Sequence, residues 1–322
     1  MAIGNLKDAN SNVSRDEFDW EIDSVVESLR VLRDEALHVR HRLNRPVALP
    51  SKRVLSETLE VLASALFPHR LSSRQLQRES VDFFVGQALD ASCRSLTTQV
   101  AIELEYIAET KVHRNDVLLI AADRVKSIIQ QLPTIRQLLD SDIRAACIAD
   151  PAARSQDEVL ACYPGVLALI HHRIAHVVYQ HDLPLVARMI SELAHSKTGI
   201  DIHSGAQIGR SFFIDHGTGV VIGETSIIGS NVRVHHGVTL GAPSRSDLKV
   251  ENGDSRTYNL PRHPVVEDDV TIYADATILG RVTIGRGSII GGNVCVTRDV
   301  PPNSRVSQAQ SRLDTFNEGS GI

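Results

Sequence analysis

The chain has little of what several large protein classes require. Its four cysteines, Cys93, Cys147, Cys162 and Cys295, are scattered with no CxxC pair. That excludes a disulfide framework and points to a reduced, cytoplasmic protein. No stretch approaches the roughly 20 apolar residues that span a bilayer, and the opening MAIGNLKDANSNVSR lacks the apolar core of a secretory signal. Positive charge is not in excess either. With 34 Lys and Arg against 39 Asp and Glu the net charge is −5 and the pI near 6.3, which argues against nucleic acid as a partner. Glycine is nearly missing from the first 198 residues, where only Gly4, Gly86 and Gly165 occur, whereas 15 of the 20 glycines lie between Gly199 and Gly292. Because glycine is costly inside helices and useful where backbone turns tightly, the first part reads as helical and the next hundred residues as full of corners.

What is present agrees with that division. At 322 residues, 42% hydrophobic and 23% charged, the chain has globular proportions and room for two domains. Phe18, Ile22, Val25, Leu29, Leu32, Ala36, Val39 and Leu43 follow alternating steps of four and three. They form one stripe of a long helix, read as a bundle seam in preference to a coiled coil. Further helical patterns run through 52–67, 80–111, 116–139 and 164–195. Residues 1–15 read as a mobile terminus, which leaves 16–199 as a helical domain.

From Ile202 the period changes to six. Aliphatic residues fall at Ile202, Ile208 and Ile214, slip by two, and resume at Ile222, Ile228, Val234 and Leu240. After a break they continue at Val266, Ile272, Ile278, Ile284, Ile290 and Val296, giving thirteen hexads. A repeat this short is the signature of a β-solenoid. Each hexad supplies one strand and one corner, three make a triangular coil of 18 residues, and the aliphatic side chains stack inward at the ~4.8 Å strand spacing. Residues 200–300 are the expected solenoid domain, with an inserted loop over 243–262 and a tail over 301–322.

Hexads such as Ile208-Gly209, Ile222-Gly223, Ile284-Gly285 and Ile290-Gly291 resemble those of the hexapeptide-repeat acyltransferases. That resemblance implies a left-handed parallel β-helix; the handedness does not follow from the period. The expected fold class is therefore α+β by segregation, an N-terminal α-helical domain followed by a left-handed β-helix. Within the superfamily, DIHSGAQIGRSFFIDHGTGVVIGETSIIGSNVRVHHGVTLGA looks like serine O-acetyltransferase, which makes O-acetylserine for cysteine synthesis. The likeness extends through ADPAA at 149–153, HHRIAH at 171–176 and RHP at 262–264. It implies acetyl-CoA as co-substrate, L-serine as acceptor and a trimer or dimer of trimers, with no permanently bound cofactor or metal.

Acetyl transfer from a thioester to a hydroxyl needs a base, and neutral histidine suits that task near pH 7. It also needs a carboxylate to orient the imidazole. Asp201 and His216 lie fifteen residues apart, three short of a coil, which lets them approach across adjacent turns. The resemblance assigns them as the catalytic dyad. An amino-acid substrate carries two charges. Arg262 suits a carboxylate, with His263 beside it, and Asp150 and Asp215 suit the ammonium. These four correspond to the family's serine-binding residues. Asp150 also precedes Pro151, a usual helix start with Asp as N-cap. Gly241, Ala242, Ala274, Gly291 and Gly292 are the expected lining for acetyl-CoA, because small residues admit its thin arm.

The inserted loop 243–262 is longer than the family commonly has and reads as an enlarged lid over the cofactor groove. The chain ends in Gly321-Ile322, and in the resembled enzymes a terminal isoleucine enters the active site of O-acetylserine sulfhydrylase. Two other readings remain open: an acetyltransferase acting on a sugar or antibiotic, and a zinc-dependent carbonic anhydrase-like hydratase. For the second, His203, His216, His235, His236 and His263 are available, and His172 and His176 have chelating spacing, although on a Leu-rich helix packed histidines are expected.

Overall fold

A computed structural model describes residues 20, 22–39, 48–72, 76–77, 80–108, 113–243 and 260–308. The terminus 1–15, most of the inserted loop and the end of the tail lie outside the described residues. The chain divides into two compact units, Met1–Ala48 and Leu49–Ile322. In the first, helix α1 (Ile22–Val39) carries the expected stripe. Ile22, Val25, Leu29 and Leu32 are 60%, 54%, 48% and 58% exposed. Phe18 and Leu43, which extend the stripe, lie outside the described residues.

Among the described residues the second unit begins with eight helices: α2 (Lys52–Leu66), α3 (Pro68–Leu71), α4 (Val81–Ile107), α5 (Arg114–Ile129), α6 (Leu132–Ala149), α7 (Gln156–Cys162), α8 (Pro164–Gln180) and α9 (Pro184–Thr198). Two of the helical patterns expected from the sequence are split by proline. The 116–139 pattern divides into α5 and α6 because Pro133 opens α6, and the 164–195 pattern divides before Pro184, with Asp182 left-handed at φ 55°. The short helix α7 starts where Ser155 caps the Glu158 N–H at 3.1 Å and Glu158 accepts from Arg154 N–H at 2.8 Å. Helix α9 starts on Glu103, which is fully buried and accepts N–H bonds from Leu185 and Val186 at 2.7 and 2.8 Å. It ends on Gly199 at φ 70°, a left-handed cap.

The solenoid follows. Its first face stacks β1 (Asp201–Ile202), β4 (Val221–Ile222), β7 (Thr239–Gly241), β10 (Thr277–Leu279) and β13 (Cys295–Val296). The second face stacks β2 (Gln207–Ile208), β5 (Ile227–Ile228), β8 (Val265–Val266) and β11 (Thr283–Ile284). The third stacks β3 (Phe213–Asp215), β6 (Arg233–His235), β9 (Thr271–Ile272), β12 (Ile289–Ile290) and β14 (Arg305–Val306). Every pairing between these strands is parallel. Of the thirteen hexad positions only Ile208 is not fully buried.

Register records each irregularity in the sequence. Asp201 opposes Val221, a coil of 20 that contains the two-residue slip. Val265 opposes Thr283, the regular 18. Ile227 opposes Val265, an offset of 38, so the extra 20 residues equal the insert 243–262 and the solenoid closes over it in register. Beyond the last hexad the chain completes one more turn, with Val300 bridged to Ile284 and β14 paired to β12, so the solenoid reaches Val306 rather than stopping at 300.

Helices and solenoid share one core, and a buried polar knot joins them. Asp142 on α6 and Arg173 on α8, 1% and 5% exposed, pair at 2.7 and 2.8 Å. Asp142 also accepts the Phe212 N–H at 2.9 Å, and Arg173 donates to the Ile208 and Gly209 carbonyls at 3.3 and 2.9 Å. Every strong partner of this buried pair is thus in place, as its desolvation demands.

Candidate active site

The prism's three edges are its corners, and the expected site residues gather on two of them, both bordering the first face. Where the third face turns into the first, successive coils place His216 after β3, His236 after β6, Ala274 after β9, and Gly291 and Gly292 after β12. Where the first face turns into the second they place His203 after β1, Glu224 and Thr225 after β4, Gly241-Ala242 with Arg262 and His263 around the insert, and Arg281 after β10.

The first of these edges carries His216, the residue expected to act as base. His216 sits at φ 58°, a left-handed conformation that histidine tolerates better than bulkier residues, and its side chain is 78% exposed. Its Nε2 lies 3.7 Å from Asp215, and its ring is edge-on to His236 at 5.9 Å. Asp215 is half-buried and already engaged: Arg233 donates to it at 2.5 Å and His235 Nδ1 lies at 3.3 Å. Arg233 also donates to the Ala149 carbonyl at 3.3 Å and lies over the Phe213 ring. That bond ties the edge to Asp150, the residue after Ala149. Asp150 ends α6 rather than capping a new helix, so its expected N-cap role is not found. Its carboxylate takes the Tyr163 hydroxyl and, at 2.8 Å, the Ala152 N–H. The Tyr163 bond holds Asp150 below the ordinary carboxylate range and pushes the phenol up to about 12. His235 stacks on Tyr273 at 4.8 Å and burial lowers its pKa.

Two carboxylates and an exposed imidazole therefore share this edge, but Asp201 does not join them. It leaves the first face beside α9, 4.0 Å from Arg188, and its carboxylate groups with Glu192 and His195 within 4.8 Å. Among the described residues no ion pair links Asp201 and His216 within one chain. Fifteen residues of separation is a good rule on a regular coil, but the 20-residue first coil and its corner intervene.

The second edge carries a cation and a fixed imidazole. Arg262 pairs with Glu224 at 2.7 Å, and Tyr179 donates to the other Glu224 oxygen at 3.0 Å. Burial works against the charge on Glu224, but these two hydrogen bonds prevail and its pKa is lowered. His263 is 7% exposed and lies against Gly223, where an added Cβ would meet its ring at 1.9 Å. Burial first, then the Arg262 charge, lowers its pKa to about 4, so it is neutral near pH 7. His203 is edge-on to Tyr179 at 5.9 Å, and burial lowers it too.

The small residues expected against acetyl-CoA divide in the same way. Ala274, Gly291 and Gly292 share the first edge, where a Cβ on Gly292 would lie 3.1 Å from the Ala274 carbonyl. Gly241 and Ala242 belong to the second. The α8 histidines are committed to packing: His171 bonds the Leu167 carbonyl at 2.9 Å, His176 the Ser204 carbonyl at 2.8 Å, and His172 is buried. Sequence reasoning missed Arg233, His235, Glu224, Thr225, Tyr163 and Tyr179. For His235 and Thr225 a signal existed, since coil offsets of 20 and 38 put them beside Asp215 and His263.

Comparison with known proteins agrees with the fold. Residues 263–298 match the family model "Bacterial transferase hexapeptide (six repeats)". The chain is 47% identical over 307 residues to a plasmid-encoded serine acetyltransferase of Synechococcus elongatus, covering 94% of this chain and 95% of that protein. It is also 47% identical over 165 residues to the serine acetyltransferase of Mycobacterium tuberculosis, covering 51% and 67%. Among solved structures, serine acetyltransferase isoform 3 of Entamoeba histolytica in complex with cysteine superposes with a TM-score of 0.66 at 32% identity, over 85% of this chain and 87% of that one. A helical N-terminal part, a parallel hexapeptide solenoid and near full-length identity together place this chain in the serine acetyltransferase family.

Proposed function

We propose that the protein transfers acetyl from acetyl-CoA to the hydroxyl of L-serine, giving O-acetyl-L-serine and CoA for cysteine biosynthesis. The observation that carries the reading is the sorting of charges onto two edges that match a zwitterion. Asp150 and Asp215 supply negative charge beside His216, whereas Arg262, held by Glu224, presents its guanidinium next to neutral His263. His216 takes the serine hydroxyl proton, the oxygen attacks the thioester carbonyl carbon, and collapse of the tetrahedral intermediate breaks the C–S bond. The imidazolium then returns its proton to the leaving thiolate. Arg233 already neutralises Asp215, so Asp150 is the principal ammonium partner and Asp215 chiefly orients His216 and Arg233. Ala274, Gly291, Gly292, Gly241 and Ala242 admit acetyl-CoA along the solenoid.

The two edges must meet for this chemistry. A trimer with the prisms side by side would set the His216 edge of one copy against the Arg262 edge and Asp201 of the next, completing the dyad between copies. The exposed stripe of α1 would pair two such trimers. The tail from Leu313 to Ile322 would present a free carboxylate and an aliphatic side chain to O-acetylserine sulfhydrylase. Thiol release from acetyl-CoA with a panel of amino acids and sugars tests the reading: L-serine should be the preferred acceptor, and a sugar acceptor with no serine turnover would overturn it. Binding of a peptide spanning residues 313–322 to the organism's sulfhydrylase tests the tail.

A further inference from the structure

Thr225 sits at the centre of the second edge, and its bonds are unusually concentrated. Its Oγ1 lies 2.9 Å from the Arg262 backbone nitrogen and 3.0 Å from that of His263, accepting from both. With its lone pairs so used, the hydroxyl proton points to its remaining neighbour, His263 Nδ1, at 2.9 Å. The Thr225 backbone N–H also donates to Nδ1, at 3.1 Å. Two donors converge on Nδ1, so that nitrogen carries no proton and the ring proton resides on Nε2. From the other side the Arg281 guanidinium bridges the carbonyls of Thr225 and His263, at 2.7 and 3.0 Å, and closes the unit.

We infer that Thr225 is a positioning residue that fixes His263 as the Nε2–H tautomer and seats the Arg262-His263 backbone where the chain returns from the insert. The inference rests on the proposed role of His263 and Arg262 toward the serine carboxylate. A neutral imidazole in this tautomer is a donor toward a ligand oxygen, which is what a carboxylate needs beside a guanidinium. Two N–H bonds into one hydroxyl fix residues 262 and 263 where the chain re-enters the solenoid, and β8 then pairs in register with β5.

The test compares Thr225→Val, which keeps the shape and removes the oxygen, with Thr225→Ser, which keeps the oxygen. Histidine-selective ¹⁵N labelling of the full chain, with His263→Gln to assign the resonance, reads the tautomer directly. The wild type and Thr225→Ser should show unprotonated Nδ1 and protonated Nε2, while Thr225→Val should show a tautomer mixture. In steady-state assays Thr225→Val should raise the serine KM roughly 10-fold with a smaller change in kcat, and Thr225→Ser should restore it. A protonated Nδ1 in the wild type, or an unchanged tautomer in Thr225→Val, would overturn the inference whatever the activity. If Thr225→Val fails to fold, the wild-type and Thr225→Ser spectra still decide it. The expected tautomers without any serine acetylation would leave the positioning role intact and remove only the functional reading on which it builds.

Discussion

The two edges of the prism differ in how their charges are held. On the His216 edge the imidazole proposed as base is exposed and its neighbours are ion pairs among side chains, Arg233 with Asp215 and His235 with Asp215. On the Arg262 edge the guanidinium also pairs with a carboxylate, Glu224, but the ring of His263 is buried against Gly223 and fixed by a threonine. A group that must exchange protons with substrate needs access to it, whereas one that only recognises charge gains from rigidity. The difference gives each edge of a single chain its own character.

The comparison can be broken most forcefully at His216. Substitution by Ala should lower kcat roughly 10²–10⁴-fold, the usual worth of a general base, with an unchanged oligomer by light scattering. Near-normal turnover would move the acid–base role elsewhere. Arg262→Ala should act differently, raising the serine KM roughly 10- to 100-fold because a charge-assisted contact is present in both ground and transition states. A loss confined to kcat would show that Arg262 belongs with the chemistry rather than with recognition.

Mixing the two variants sharpens the point. If the edges meet between copies, randomly assembled trimers of His216→Ala and Arg262→Ala restore wild-type pairs at about a quarter of the interfaces, a recovery that assays after co-refolding would detect. If one chain holds the whole site, mixing recovers nothing.

The smallest effect concerns acid. His263 is lowered to about 4, and burial also lowers His171, His172, His176, His203 and His235. A histidine depressed in the folded state is protonated first in the unfolded chain as pH falls, so stability is full above the ordinary histidine pKa of about 6.5 and declines toward pH 4. Urea unfolding should show a loss of at least about 1 kcal/mol between pH 7.5 and 5. His263→Gln should lessen that slope.

Much of the fold was legible because a period of six admits few alternatives. Twelve of the thirteen inward positions read from the sequence are buried, and both the slip and the insert reappear as register offsets of 20 and 38. The helices were legible in type but not in number, since Pro133 and Pro184 break patterns whose apolar spacing runs on. Site residues carried by the motif lie on the two edges, but their partners were hidden. Arg233 reads as an ordinary outward charge on a strand, and only a pairing that sets Asp215 beside His235 reveals that it neutralises the carboxylate. Asp201 shows the opposite error, since sequence separation suggested contact with His216 that the corner geometry of one chain does not provide.

The ends of the solenoid carry a last consequence. A stack of parallel coils has no inherent stopping point, and each terminal coil offers bare N–H and C=O groups on which a further strand could grow. The first coil does not offer them freely. The Asp142–Arg173 knot takes up the Phe212 N–H and the carbonyls of Ile208 and Gly209, so the helices cap the backbone as well as burying its apolar interior. At the other end the last coil shrinks to 16 residues from Ile289 to Arg305, with Pro301 and Pro302 unable to donate and Asn303 turned to φ 57°. One end is closed by hydrogen bonding and the other by geometry, so neither offers a free edge on which the stack could lengthen into a fibre.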